Sequence, residues 1–461
     1  MGAGCGVDGT DSSASTALED LVARHADLSG RLPGGIPMVD ATGLFATVSA
    51  QGAIDLGNEF FQDLGTNGRR CVSCHVPSAA WSVTPGQLRA VFEATRGGVL
   101  DDGFGLGAAF RTNDGANAPG ADVSTLAARR TAYSMLLGKG LIRVGLPVPA
   151  TAEFELIAVD DPYHYASAAE LSLFRRPLPT TNLKFDSTVM WDGREVVPGA
   201  TVASDLATQA SDATAGHAQG SPLSQAQRDS IVQFETALAT AQTVDRATGY
   251  LAAGAAGGPA AILSEPFHIG INDNLGDPVT GAAFSPIVFD LYDGWRQADT
   301  AARRAVARGQ AIFNTHPIAI AGVPGINDEP RFGAPPVLSG TCTTCHDTPN
   351  GGNHSVVAPL DLGLADASLR TPDMPLYTLR NKTTGEIRQV TDPGRGLIDG
   401  KWSHVGRFKG PMLRALAARA PYFHNGFAKD LDAVVDFYNT RFQIGFTAQD
   451  KADLVAFLRS L

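Results

Sequence analysis

Four of the chain's five cysteines fall in two pentapeptides, Cys71-Val72-Ser73-Cys74-His75 and Cys342-Thr343-Thr344-Cys345-His346. Two thiols separated by two residues on a helical turn lie on one side of it, and the histidine that follows lies beneath them. Cys-x-x-Cys-His is the attachment signal for c-type haem: each thiol adds across a haem vinyl group, and the histidine supplies the proximal nitrogen to iron. A zinc site would need the two Cys-x-x-Cys pairs to meet in space and gives no reason for a histidine after both. The sequence therefore predicts two covalently bound c-type haems, one on Cys71, Cys74 and His75 and one on Cys342, Cys345 and His346. Covalent attachment of this kind implies export to the bacterial periplasm.

The chain has 461 residues, 44% hydrophobic and 18% charged. That is enough for two packed cores, since single cores rarely grow past about 250–300 residues. A net charge of −11 with no long basic block makes nucleic acid an unexpected partner. No apolar run approaches the roughly 20 residues of a membrane-spanning helix. The opening Gly-Ala-Gly-Cys looks like the end of a bacterial lipoprotein signal, with Cys5 as a lipid anchor and Met1 an added start residue.

A weak repeat accompanies the two haem signals. Gly57-Asn-Glu-Phe-Phe61 precedes the first, and Gly309-Gln-Ala-Ile-Phe313 precedes the second. Two copies of one module fit two haem domains. Thr447 and Asp450 have capping-box spacing, and Leu454, Phe457, Leu458 and Leu461 then mark one helical face. Leu431, Val434, Val435 and Tyr438 mark another. No alternating run suggests a large sheet. The predicted fold is mainly α, with two cytochrome c-like haem domains and long loop insertions. The expected organisation is a loose tail over 1–40 and an N-terminal haem domain over 41–240. An inter-domain insertion follows over 241–300, then a C-terminal haem domain over 301–461. The stretch 86–186 reads as loops and short apolar segments.

The segment Lys409 to Asn439, with "APYFHNG" at Ala420 to Gly426, and "VMWDGRE" at Val189 to Glu195 stand in order around the two haem signals. In these features the chain resembles the bacterial diheme cytochrome c peroxidase and MauG superfamily, over most of residues 41–461 outside the insertions. The resemblance implies a peroxidatic N-terminal haem, a C-terminal haem that stores and relays electrons, and a tryptophan between them, here Trp191. It places the sixth ligand of the second haem at Tyr438, where relatives have methionine or tyrosine; Met412 is the rival ligand. A phenolate is a hard anionic donor that lowers the haem potential relative to methionine. His424 supports the haem surroundings without ligating.

Many relatives cap the first haem with a loop histidine soon after its attachment signal. This chain has none between Val76 and Asp161, so the first haem is expected to be open or water-bound; His164 lies far outside the family position. The family's distal glutamine matches Gln209, and its acid–base residue falls near His217, where glutamate is usual. A neutral imidazole there can take a peroxide proton and return it to the leaving oxygen. The resemblance also implies calcium between the domains, held by an asparagine, a threonine and carbonyls. Here those side-chain positions are Arg130 and Arg419. Cations argue against calcium, and an arginine filling the site would pair with haem propionates.

Three functions follow as alternatives. One is a periplasmic peroxidase that reduces hydrogen peroxide with electrons from a small cytochrome c or cupredoxin. Another is a MauG-like enzyme that uses peroxide or oxygen to oxidise a partner protein or an organic substrate through a high-valent diheme state. The third is a non-enzymatic diheme electron carrier. The assembly is expected to be a monomer or a homodimer. Trp81 is expected to pack on the first haem, and His268, His316, His354 and His404 to be loop or core histidines.

Overall fold

The computed structural model describes residues 30–98 and 106–461. Cys5 and most of the expected tail lie outside the described residues. Within 30–40, Arg31–Pro33 pairs antiparallel with Ala53–Asp55. Leu32 and Ile54 bury there against Phe60, Phe61 and Trp81. Residues before 41 thus already contribute a paired strand and a buried side chain.

Each haem signal sits beside a pair of packed helices. In the N-terminal half these are Val202–Gly216 and Gln225–Ala237, the second opened by a capping box between Ser224 and Gln227. In the C-terminal half they are Ala301–Thr315 and Ala448–Arg459. The Thr447 hydroxyl accepts from the Asp450 amide at 3.1 Å, and Leu454, Phe457, Leu458 and Leu461 are buried, as the pattern predicts. Each fully buried Leu or Phe contributes about 1.5–3 kcal/mol. The two helices approach so closely that a Cβ on Gly309 would lie 2.0 Å from the Asp453 carbonyl oxygen. Glycine is required there by contact rather than by backbone angle.

The fold is not mainly α: about 31% of it is helix and 17% strand. The strands form small antiparallel sheets. Gly43–Ser49 pairs with Leu238–Asp245, flanked by Met38–Val39 and Gly249–Tyr250. Ile142–Leu146 pairs with Leu171–Arg175. Phe154–Asp160 pairs with Leu376–Asn381, which pairs with Ile387–Val390. These strands escape a period-2 reading for a physical reason. Leu171–Arg175 is buried at every position, polar residues included. Phe154–Asp160 is buried at Phe154, half-buried at the next two residues and exposed along the rest.

The sheet of Phe154–Asp160 and Leu376–Asn381 draws a strand from each half of the sequence. Together with the Leu238–Asp245 strand, which runs through the expected boundary at 240, it couples the two haem halves. The 86–186 stretch holds helices and strands, including Pro85–Thr95 and Ser134–Lys139, rather than loops alone. Part of the expected 241–300 insertion packs into the C-terminal core through Phe289, Tyr292 and Trp295.

Candidate haem centres

Both attachment signals form a short 3-10 turn, Cys71–Ser73 and Cys342–Thr344. Each opens into its own cavity. Cys71, Cys74 and His75 line one; Cys342, Cys345 and His346 line the other. The two cysteine pairs therefore do not meet as a zinc site would require. His75 Nδ1 donates to the Trp81 carbonyl at 3.2 Å, and His346 Nδ1 donates to the Gly352 carbonyl at 2.6 Å. A carbonyl only accepts, so both rings carry hydrogen on Nδ1 and keep Nε2 for the cavity. The repeat holds in geometry too. Phe60 stands 6.3 Å from the His75 ring at 57°, and Phe313 stands 6.0 Å from the His346 ring at 52°. The residue that faces His75 is Phe60, one position before the Phe61 that the sequence alignment of the repeat suggests. Trp81 is fully buried among Phe60, Phe61 and Phe234. It supports His75 through its carbonyl, and it is not part of the cavity wall.

In the C-terminal cavity, Tyr438 projects from the helix Leu431–Arg441 and lines the wall with Met412 and His424. Burial pushes the Tyr438 phenol well above its ordinary value, and the nearby Cys345 and Cys342 add to this. A cation at the oxygen would reverse that balance. Met412 packs with Phe185, Ala239 and Ile262 as well as lining the cavity. His424 stacks on Phe408, ring centroids 3.9 Å apart, and its Nε2 is buried with no hydrogen-bond partner among the described residues.

The N-terminal cavity brings Gln209 and His217 together. Gln209 lies on the helix Val202–Gly216, which is capped by Thr201, and His217 terminates it. Three features of His217 come from elsewhere in the chain. Its Nδ1 is hydrogen-bonded to the Asp114 carboxylate. The other oxygen of Asp114 is held by the Arg69 guanidinium. Its backbone carbonyl accepts from Asn67 at 2.8 Å and from Arg69 at 3.2 Å. The ring is enclosed by protein but faces the cavity, which accounts for its 37% side-chain exposure. Burial, with Arg69 and Arg194, pushes the His217 imidazole down to about 4. Sequence reading missed Asp114, Arg69 and Glu235. Glu235 also lines this cavity, has an unpartnered oxygen and is pushed up to about 8 by burial. Its place on an amphipathic helix carries no signal that distinguishes it from a surface glutamate.

Trp191 lines both cavities. Its indole N–H donates to the Arg176 carbonyl at 2.8 Å, and its own carbonyl accepts from the Lys409 amide at 2.9 Å. Its ring meets the His424 ring edge-on at 6.2 Å. Next to it, Asp192 is fully buried against Arg175, which also holds Asp392 through Nε at 2.7 Å.

The residues fit two c-type haems: each cavity presents two cysteines and a histidine whose Nδ1 is engaged by a backbone carbonyl, between largely apolar walls. They do not fit the calcium that the resemblance implies. Arg130 is on the surface, paired with Glu93 at 2.8 and 2.9 Å. Arg419 is buried, and its guanidinium takes the carbonyls of Ala415, Met412 and Arg414. Oxygens that calcium would need are committed to a guanidinium. His164 is exposed on a turn, and His268, His316, His354 and His404 line neither cavity.

No family model matches the chain. The cytochrome-c peroxidase IdrP2 of Denitromonas iodatirespirans is 32% identical over 136 residues, 26% of this chain and 36% of that protein. The cytochrome-c peroxidase IdrP1 of Pseudomonas sp. strain SCT is 31% identical over 140 residues, with the same shares of 26% and 36%. The chain thus spans about a third of the length of these curated relatives. A solved MauG-like protein associated with microbial copper homeostasis covers 93% of this chain, and 92% of that protein is covered, at 16% identity and a TM-score of 0.41. Two haem attachment signals and this similarity to curated cytochrome-c peroxidases support the chain's resemblance to the diheme cytochrome c peroxidase and MauG superfamily.

Proposed function

We propose that the protein is a periplasmic diheme peroxidase that reduces hydrogen peroxide at the N-terminal centre. Peroxide takes up two electrons and two protons and leaves as two waters. A haem held by Cys71, Cys74 and His75 would supply the redox chemistry for peroxide reduction there. His217 accepts the first peroxide proton at Nε2 and returns it to the departing oxygen. Asp114 keeps hydrogen on His217 Nδ1, so that Nε2 is the basic atom. Gln209 lies in the same wall, where its amide orients peroxide. Trp191 would carry electrons from the C-terminal centre, where His346 and Tyr438 would hold the second haem's iron. A small cytochrome c or cupredoxin is the donor.

The observation that carries this reading is the position of Trp191. It lines both the cavity that holds His217 and the cavity that holds Tyr438. The test is steady-state peroxide reduction by the haem-loaded protein with a reduced small cytochrome c. Turnover in the wild type that is lost in His217→Ala and sharply slowed in Trp191→Phe supports the proposal. An electron carrier would instead show two six-coordinate low-spin centres that are inert to peroxide.

Tyr438 favours a second reading. Its hydroxyl lies in the C-terminal cavity with no hydrogen-bond partner among the described residues. A tyrosinate suits oxidation of a partner protein's side chains, as in a MauG-like enzyme. Slow turnover with generic donors beside a long-lived oxidised state after peroxide would select that reading.

A further inference from the structure

Arg176 has surroundings unlike those of an ordinary buried arginine. Its Nη1 donates to the carbonyls of Lys139 and Gly140, at 3.1 and 3.3 Å. Its Nη2 donates to the carbonyls of Val83 and Arg419, at 2.7 and 3.0 Å. No carboxylate pairs with it among the described residues, and the residue is only 5% exposed. A Cβ on Gly140 would lie 2.2 Å from Nη1, so the cradle is shaped to the guanidinium. A buried charge is strongly disfavoured unless dipoles or counter-charges surround it. Here four carbonyl oxygens do what oxygen ligands do for a hard metal ion.

The four carbonyls come from separate parts of the molecule. Val83 follows the turn whose Trp81 carbonyl holds His75. Lys139 and Gly140 end the helix Ser134–Lys139. Arg419 belongs to the C-terminal half and sits just before the segment that carries Tyr422 and His424. The backbone of Arg176 joins the same arrangement. Its amide donates to the His424 carbonyl at 2.7 Å, and its carbonyl holds the Trp191 indole. Arg176 also lines both cavities.

We propose that Arg176 is a resident internal cation that clamps the two haem halves through backbone carbonyls and positions Trp191, with no divalent metal ion in that place. Burial and the neighbouring Arg419 push its guanidinium down to about 9, so it stays charged at neutral pH. The planar fork matters: two nitrogens reach two carbonyls each, whereas a lysine offers one nitrogen. The role is the same whether peroxide or a partner protein is the substrate.

The test uses the haem-loaded full chain without peroxide, so it stands apart from the peroxidase reading. The unfolding midpoint and the electron paramagnetic resonance spectrum are recorded after chelation with EGTA and after added calcium. Neither treatment is expected to change either. Electron equilibration between the haems is then timed after flash reduction in Arg176→Lys, Arg176→Met and Gly140→Ala. Slowing of about tenfold or more is expected in Arg176→Met, with Arg176→Lys intermediate, because displacing a relay by about 1 Å is costly. Gly140→Ala keeps the charge, displaces the fork and is expected to slow transfer if Arg176→Met does not fold. A midpoint that falls on chelation and returns with calcium overturns the proposal. So does wild-type equilibration in Arg176→Met, or in Gly140→Ala where that variant is the one that folds.

Discussion

His217 Nδ1 is hydrogen-bonded to the Asp114 carboxylate, whose other oxygen is held by Arg69. A histidine so fixed has one tautomer and one orientation, and its Nε2 is left to the cavity. Asp114→Asn is expected to lower kcat/KM for peroxide by roughly a hundredfold or more, close to His217→Ala, because general acid–base catalysis contributes about 10²–10⁴. The two substitutions together should cost little more than either alone. Additive losses in single-turnover peroxide kinetics would show that Asp114 does not act through His217.

Burial holds both His217 and His424 down at about 4, against an unperturbed value near 6.5. Both rings are therefore neutral in the folded protein at neutral pH. The unfolded chain takes up protons as pH falls below about 6.5, while the folded chain does so only near 4. The stability these groups contribute is present above about 6.5 and is lost as pH falls through about 4. The unfolding midpoint should drop across that window, less steeply in His424→Gln. The rate of reaction with peroxide should fall over the acid end as His217 protonates. An acid limb unchanged in the His217 and His424 variants would count against both assignments.

Tyr438 shares its cavity with Cys342, Cys345 and His346. As the proposed ligand it would hold the second haem at low potential. Tyr438→Met is expected to raise that potential and change the low-spin resonance signal, leaving the first haem's signal unchanged. A redox titration in which both potentials match the wild type would remove Tyr438 from the ligand set.

Asp392 and Asp192 are buried on either side of Arg175, with side chains 4%, 0% and 2% exposed respectively. Removing one partner of a buried pair leaves an uncompensated charge and costs about 3–5 kcal/mol. Arg175→Met, which strips Asp392 and Asp192 of this partner, should lose about that much in chemical denaturation. Arg130→Ala, at the exposed pair with Glu93, should leave the midpoint essentially unchanged. Equal effects would mean that the Arg175 cluster is not what braces the Trp191 segment.

The two Cys-x-x-Cys-His signals were legible because each is contained in five consecutive residues, and each forms a short turn beside a cavity. Tyr438, Gln209, His217 and Trp191 all line the cavities that the resemblance assigns them. The mixed α and β character was not legible. Strands such as Phe154–Asp160 become strands by pairing with Leu376–Asn381, far along the chain, and their burial does not alternate.

The sequence by itself determined the two haem attachment signals and the two C-terminal helices, for which local spacing and helical period were sufficient; the tryptophan that lines both cavities came from the resemblance. Only the tertiary structure decided that Asp114 orients His217, that Glu235 is a buried carboxyl, and that Arg176 gathers carbonyls from both halves. Those relations join residues as far apart as Arg176 and Arg419. Their physical basis is burial, which makes a charge or a polar atom seek whatever partner the fold brings within reach.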